Sequence, residues 1–198
     1  MNDMSKKPRK PPIDKKDVRA RLERAQAEHL LVHVRRWIPD ADRLEGFVVG
    51  IGAEWVALQH LSDRIVFDGW RLIRLKDIQA VSLDLDPDCF EVQALRARQL
   101  WPPSAADLDL DDILGAAASV SNAAPMVSVY DEFDRPDVCW IGAVMSVDAH
   151  RLSLLEVNTR GRWARKTRSF DPGDITRLEF GGGYEDALHL VAGPPPTT

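Results

Sequence analysis

Hydrophobic positions along the chain recur at two periods, and the same succession of periods runs through it twice. Val18, Leu22, Ala25 and His29 lie four, three and four residues apart, one stripe of a helix predicted over 15–29 with Asp14 as its N-cap. From Leu30 to Ile38 the period falls to two, which is strand spacing, and Pro39-Asp40-Ala41-Asp42 supplies the turn that ends it. Alternation resumes over 44–51 and 54–61, a hairpin around Gly52-Ala53, and again over 70–75 after the turn dipeptide Asp68-Gly69. Lys76-Asp77-Ile78 reads as a single tight helical turn into a fifth strand over 79–84. A helix from Asp88 to about Leu100 follows, stopped by Pro102-Pro103.

The second run predicts strands over 126–133, 139–147, 151–158, 163–170 and 176–180 and a helix over 184–191. It matches the first residue for residue at its punctuation. Gly46-Phe-Val-Val corresponds to Gly142-Ala-Val-Met, and Trp55-Val-Ala-Leu to Arg151-Leu-Ser-Leu. Lys76-Asp-Ile corresponds to Gly173-Asp-Ile, and Phe90-Glu to Tyr184-Glu. A repeat of this kind defines the architectural unit before any propensity is consulted. Each unit has roughly 70 residues, near the lower limit for an independent core, so two are expected to brace each other, with Trp101 as the candidate contact between them. Residues 104–125, rich in Ala, Asp and Ser, read as an acidic linker with one short helix around 110–117.

Five short strands with a tight turn between the fourth and fifth can close on themselves, which removes exposed edges. The expected class is mainly β with added helices (α+β): two tandem five-stranded barrels, each closed by a short helix, behind an N-terminal helix. The divisions are 1–13 a disordered basic tail, 14–103 the helix and first barrel, 104–125 the linker, 126–192 the second barrel and 193–198 a Pro-rich tail. The order of helix, bent strands, Gly-x-Val hairpin and Asp-Ile turn resembles the small SH3-like and Sm-like barrels. It is similar as well to bacterial proteins with a Trp/Leu-rich hairpin and a closing Tyr/Phe-Glu helix. The Sm resemblance implies RNA binding through an Asp and an Asn between the second and third strands. The loops here, Gly52-Ala53-Glu54 and Asp148-Ala149-His150, carry no Asn.

Charge changes the picture once it is divided. Of 26 basic and 31 acidic residues, nine basic and four acidic fall in residues 1–24. A basic N-terminus therefore precedes an acidic body, a pattern that serves an anionic partner, nucleic acid or simple solvation. The first residues have no apolar signal-like core, and no apolar run reaches bilayer length, so a cytoplasmic protein without membrane contact is expected. Two cysteines without CxxC spacing make no disulfide or zinc framework.

Motifs for chemistry are few. Gly181-Gly182-Gly183 is followed by Tyr-Glu and not by Lys-Ser/Thr, so it is a flexible connection and no phosphate loop. The runs 84–88 and 107–112 alternate acids but lack the Gly and Glu of an EF-hand loop. No HExxH, nucleophile elbow or close His/Cys/Asp trio occurs, and neither enzyme activity, a cofactor nor a metal is expected. One segment stands out: Arg160, Arg162, Arg165, Lys166 and Arg168 surround Trp163 with no acid among them. The expected function is a protein-binding or adaptor module using the hairpin tips and this basic segment. The alternative is an RNA-binding protein using the basic tail and 160–168, with Trp163 stacking on a base.

Overall fold

The computed structural model describes residues 15–196. The N-terminal residues called a disordered tail, the Asp14 cap and the last two residues lie outside it. Helix α1 (Lys15–Glu28) leads into strands β1 (Leu31–Arg36), β2 (Leu44–Ile51), β3 (Trp55–Leu61) and β4 (Phe67–Arg74). A 3-10 turn at Leu75–Asp77, strand β5 (Ile78–Leu83) and helix α2 (Phe90–Ala97) complete the first unit. The second unit repeats the list: α3 (Ile113–Ala123), β6 (Val127–Tyr130), β7 (Trp140–Asp148), β8 (Arg151–Glu156) and β9 (Arg168–Phe170). A 3-10 turn at Pro172–Asp174, β10 (Arg177–Phe180) and α4 (Gly183–Ala192) close it.

All ten strands form one antiparallel sheet in the order β5-β1-β2-β3-β4-β10-β6-β7-β8-β9. Two separate closed SH3-like or Sm-like barrels are therefore not what this chain builds. Within each unit the fifth strand lies beside the first and the second to fourth follow, but neither unit closes. The edge of β4 pairs instead with β10 of the other unit, Leu72 opposite Leu178 and Trp70 opposite Phe180. A strand edge has one set of ladder hydrogen bonds, and joining the units uses those that closure needs.

The duplication has a physical basis at its glycines. A Cβ on Gly46 would lie 2.2 Å from the Gln59 carbonyl oxygen, and one on Gly142 would lie 2.0 Å from that of Leu155. Both second strands press onto their third strands too closely for any side chain, and both shift register just beyond, at Val48/Gly50 and Val144/Ser146. The aromatic positions Phe90 and Tyr184 repeat as well, but their rings are 70% and 55% exposed, so they are not framework.

Each unit has a core on both sheet faces. Val18, Leu22 and Ala25 of α1 bury against Val32, Val34, Leu58 and Val81, with a fully buried Leu such as Leu22 contributing about 1.5–3 kcal/mol. Ala116, Ala117 and Val120 of α3 play the same part over Leu152, Leu154 and Ile175, and this core takes in Trp55, Ala57 and Leu72 of the first unit. On the opposite face α2 covers Leu31, Phe47 and Leu61 with Val92 and Leu95, and α4 covers Met126 and Val157 with Leu188. Asp88 does not cap α2: the N-cap is Cys89 without a side-chain bond, and Asp88 pairs with Arg96.

Residues 104–112 are a strap packed on the sheet. Leu110 is buried, its carbonyl accepts from Glu54 and Trp55 N–H at 3.3 and 3.0 Å, and Asp111 accepts from Ala53 N–H at 2.8 Å. Gly52 permits this approach, since a Cβ there would sit 2.2 Å from the Leu110 backbone. Asp112 then caps α3 by accepting from Gly115 N–H at 2.8 Å.

Candidate functional site

The basic segment singled out in sequence forms the connection between β8 and β9. Its base is a built turn: Asn158 Oδ1 accepts from the N–H groups of Arg160 and Arg162 at 2.9 and 3.1 Å, and Asn158 N–H bonds the Arg162 carbonyl at 3.0 Å. Gly161, at φ 67° in the left-handed region that glycine tolerates, brings the backbone onto α4, where a Cβ would meet Val191 Cγ1 at 2.6 Å. The fourth strand predicted from residue 163 is consequently only three residues long, Arg168–Phe170, with an isolated bridge between Val157 and Trp163.

Arg160, Arg162, Arg165 and Lys166 are exposed, and among the described residues no ion pair or hydrogen bond engages their side chains. Arg168 differs: it pairs with Glu156 at 2.5 Å and its guanidinium lies 5.3 Å from the Trp140 ring centroid. Trp163 is half-buried, packed with Ile141 and Ala192 against the Met126, Val157 and Leu188 cluster. Beside this loop the last turn of α4 exposes Leu190 and Val191, 85% and 72% accessible. The loop thus carries exposed cations on a hydrogen-bonded backbone that touches α4 where Leu190 and Val191 are exposed.

Other expected contacts fall elsewhere. The Gly52–Glu54 turn lies under the Leu110 strap, while Asp148–His150 is an exposed tip closed by Asp148 accepting from His150 N–H. None of the six tryptophans is exposed; Trp55 is buried and the other five are half-buried. Trp101 stays within the first unit, edge-on to Phe47 at 5.3 Å and to His29 at 5.9 Å.

Beside the shared apolar core, the contact between units has a polar part, which sequence reasoning missed. Arg36 makes a two-pronged pair with Glu132, both side chains almost wholly buried, and Thr176 Oγ1 donates to Glu132 at 2.7 Å. Burial alone would push the Glu132 carboxyl up; the hydrogen bond from Arg36, with the charges of Arg177 and Arg36 and the Thr176 bond, holds it below the usual carboxylate range. Arg71 meets Glu179 at 2.9 Å, Arg177 meets it at 3.4 Å, and Tyr130 donates to it at 3.0 Å. Trp70 stacks on Phe180 with centroids 5.2 Å apart. Charges alternating along a strand are the pattern of a solvent face, so nothing in Arg177-x-Glu179 marks a buried seam.

Beside this seam lies a cleft of about 220 Å³ lined by His60, Arg71, Tyr130, Cys139 and Glu185 among others. Burial, and then Arg71, lower the His60 pKa; its Nδ1 bonds the Glu45 carbonyl at 3.1 Å, which fixes the proton on that nitrogen. Desolvation and the Glu179 and Glu185 carboxylates push the Cys139 thiol up against the opposing Tyr130 bond, and Ser128 donates to Glu185. The thiol is held protonated and the carboxylates are occupied by donors, so the groups here serve one another. Asp84, Cys89 and Glu91 also gather within 4.8 Å, but burial raises the Cys89 pKa and Asp84 is used in a turn, accepting from Asp86 N–H.

No helix among the described residues is long and apolar enough to cross a membrane. Comparison with known protein families, with curated proteins and with solved structures returns no match. The resemblance to SH3-like and Sm-like barrels thus has neither a matching family nor a closed sheet behind it.

Proposed function

We propose that this chain is a non-catalytic protein-binding module. Its contact surface is the 158–166 loop with the last turn of α4, and its partner is an acidic segment with an apolar face. The observation that carries the reading is two highly exposed aliphatic side chains, Leu190 and Val191, near a loop whose four cations, Arg160, Arg162, Arg165 and Lys166, have no ion-pair or hydrogen-bond partner among the described residues. Apolar side chains in the middle of a polar rim are the arrangement of an interface, and a rigid loop loses little entropy when it binds. The mutual pairing of the titratable groups in the junction cleft supports a non-catalytic role.

For nucleic acid the same cations would serve as phosphate contacts, but Trp163 is turned into the α4 cluster and offers no face for base stacking. The test is fluorescence anisotropy with a labelled amphipathic peptide bearing Glu/Asp on one face and Leu on the other, and with labelled single-stranded RNA. Tight binding of the peptide that weakens at least tenfold both in L190S/V191S and in R160E/R162E supports the proposal. RNA binding that falls steeply with salt and ignores L190S/V191S, with no peptide binding, overturns it.

A further inference from the structure

The junction between the units defines a socket that occurs twice in the chain and is filled once. In the first unit the edge of β4 receives a strand, and the residues at its end receive the loop of the other unit. Glu132 docks on Arg36, the Gly173 carbonyl accepts from Arg74 Nη1 at 2.8 Å, and the Phe133 ring centroid lies 5.8 Å from the Arg74 guanidinium. Arg74 is itself fixed by Asp77 at 2.5 Å.

Strand register identifies the counterpart in the second unit. Ala80 opposes Arg35 on β1 and Arg177 opposes Tyr130 on β6, so Asp131 stands where Arg36 does. Val56 opposes Ile73 and Leu152 opposes Phe170, so Asp171 stands where Arg74 does, and Asp174 where Asp77 does. Here no strand is docked among the described residues. Strand β9 pairs with β8 alone and ends the sheet. A groove of about 420 Å³ opens along it, walled by Asp131, Asp134, Asp171 and Asp174 and by Trp140 and Phe170.

The sign of the socket is inverted. Its two cations are engaged, Arg168 by Glu156 and Arg135 by Asp134 at 3.3 Å. Asp131, Asp171 and Asp174 form no salt bridge among the described residues; the Arg74 charge acts on Asp131 but is itself paired with Asp77. Burial, and then the neighbouring Asp174 and Asp134 carboxylates, raise the Asp131 pKa against the Asp134 N–H bond and the Arg74 charge, which lower it.

We infer that the open edge of β9 and its acidic socket form a second docking site, which takes an extended Lys/Arg-bearing segment of a partner protein. The segment adds a short strand to β9 and sends one cation among Asp131, Asp171 and Asp174, the charge-reversed counterpart of β10 on β4 and Glu132 on Arg36. Main-chain bonds supply affinity in such strand addition and the side-chain socket supplies selectivity. This site is distinct from the apolar and cationic surface at 158–166, which calls for a partner of opposite charge.

The test uses the full chain with two labelled twelve-residue peptides, one alternating Val with Lys and one alternating Val with Glu. Expected are binding of the Lys peptide alone and slowed amide exchange at residues 168–170. In D134K/D174K the Lys peptide weakens at least tenfold and the Glu peptide gains. Neither residue holds the backbone through its side chain. R160E/R162E, in the other surface, leaves Lys-peptide binding unchanged. Failure of the Lys peptide to bind, binding indifferent to D134K/D174K, or protection at 78–83 in place of 168–170 would overturn the inference. So would a self-associated chain whose β9 amides are already protected and stay so when peptide is added.

Discussion

The same turn in the two units carries opposite electrostatics. In the first, Arg74 and Asp77 are buried, paired at 2.5 Å and roofed by the other unit. In the second, Asp171 and Asp174 occupy the equivalent places, both exposed, one bonded only to the Gly173 N–H of its own turn. The Asp-Ile turn repeats because its backbone geometry is needed to pass from fourth strand to fifth. The residue before it diverged, because one copy is an interior joint and the other a free end. The lesson is that a duplicated scaffold keeps residues whose constraint is local, and releases those whose constraint comes from the neighbour.

The comparison breaks most visibly at the joint. Glu132→Ala strands the buried Arg36 charge and should cost about 3–5 kcal/mol in denaturant unfolding, as should Asp77→Ala through Arg74. The double variant R36M/E132L should recover most of the loss, since a packed apolar pair replaces two desolvated ions without leaving one behind. Full loss in the double variant would mean that the pair fixes how the units join and is more than an exchangeable contact.

Next in size are the matched glycines. Gly46→Ala and Gly142→Ala each force a Cβ against a strand carbonyl and should destabilise by about 1–3 kcal/mol, by similar amounts in the two units. A much smaller loss at Gly142 would say that the second unit, with its free outer edge, relaxes more easily than the first.

A pH titration adds a smaller, reversible effect. Glu132 ionises more readily in the folded chain than in the unfolded one, so its stabilisation is complete above the ordinary carboxylate value of 4.5 and is lost as pH falls through the lower folded value. Glu132→Gln should flatten that acid limb of stability against pH. Asp131 runs the other way, its raised pKa making the open socket slightly less costly as pH drops. Smallest of all, Asp174→Ala should change stability by no more than about 0.5 kcal/mol, against the large loss at its counterpart Asp77.

Much of the local structure was legible. The stripe Val18, Leu22, Ala25 lies buried on α1, both hairpins turn near the predicted residues, and both 3-10 turns sit at their Asp. Two errors have one source. The 104–125 stretch looked like a spacer because its acids and alanines have no strong period, yet Leu110 and the small residues of α3 cover the second unit as α1 covers the first. Residues 163–167 looked like strand because Trp163 alternates suitably, yet the Asn158 turn and the close pass of Gly161 against α4 take them out of the sheet. In each case a distant segment decides, and no local pattern records it.

Alternation along a strand says which side chains face inward, and a glycine or Asp-Ile punctuates where the chain must bend. Those features belong to neighbouring residues, so the sequence alone determined the repeated succession of strands and turns along the chain. A strand's two edges are made of identical backbone groups, and side chains do not label which edge meets which. Only the tertiary structure could therefore decide that β4 takes β10 and leaves both units unclosed. It also buries Arg36 and Glu132 across the joint and leaves β9, beside a groove with four aspartates, as the end of the sheet.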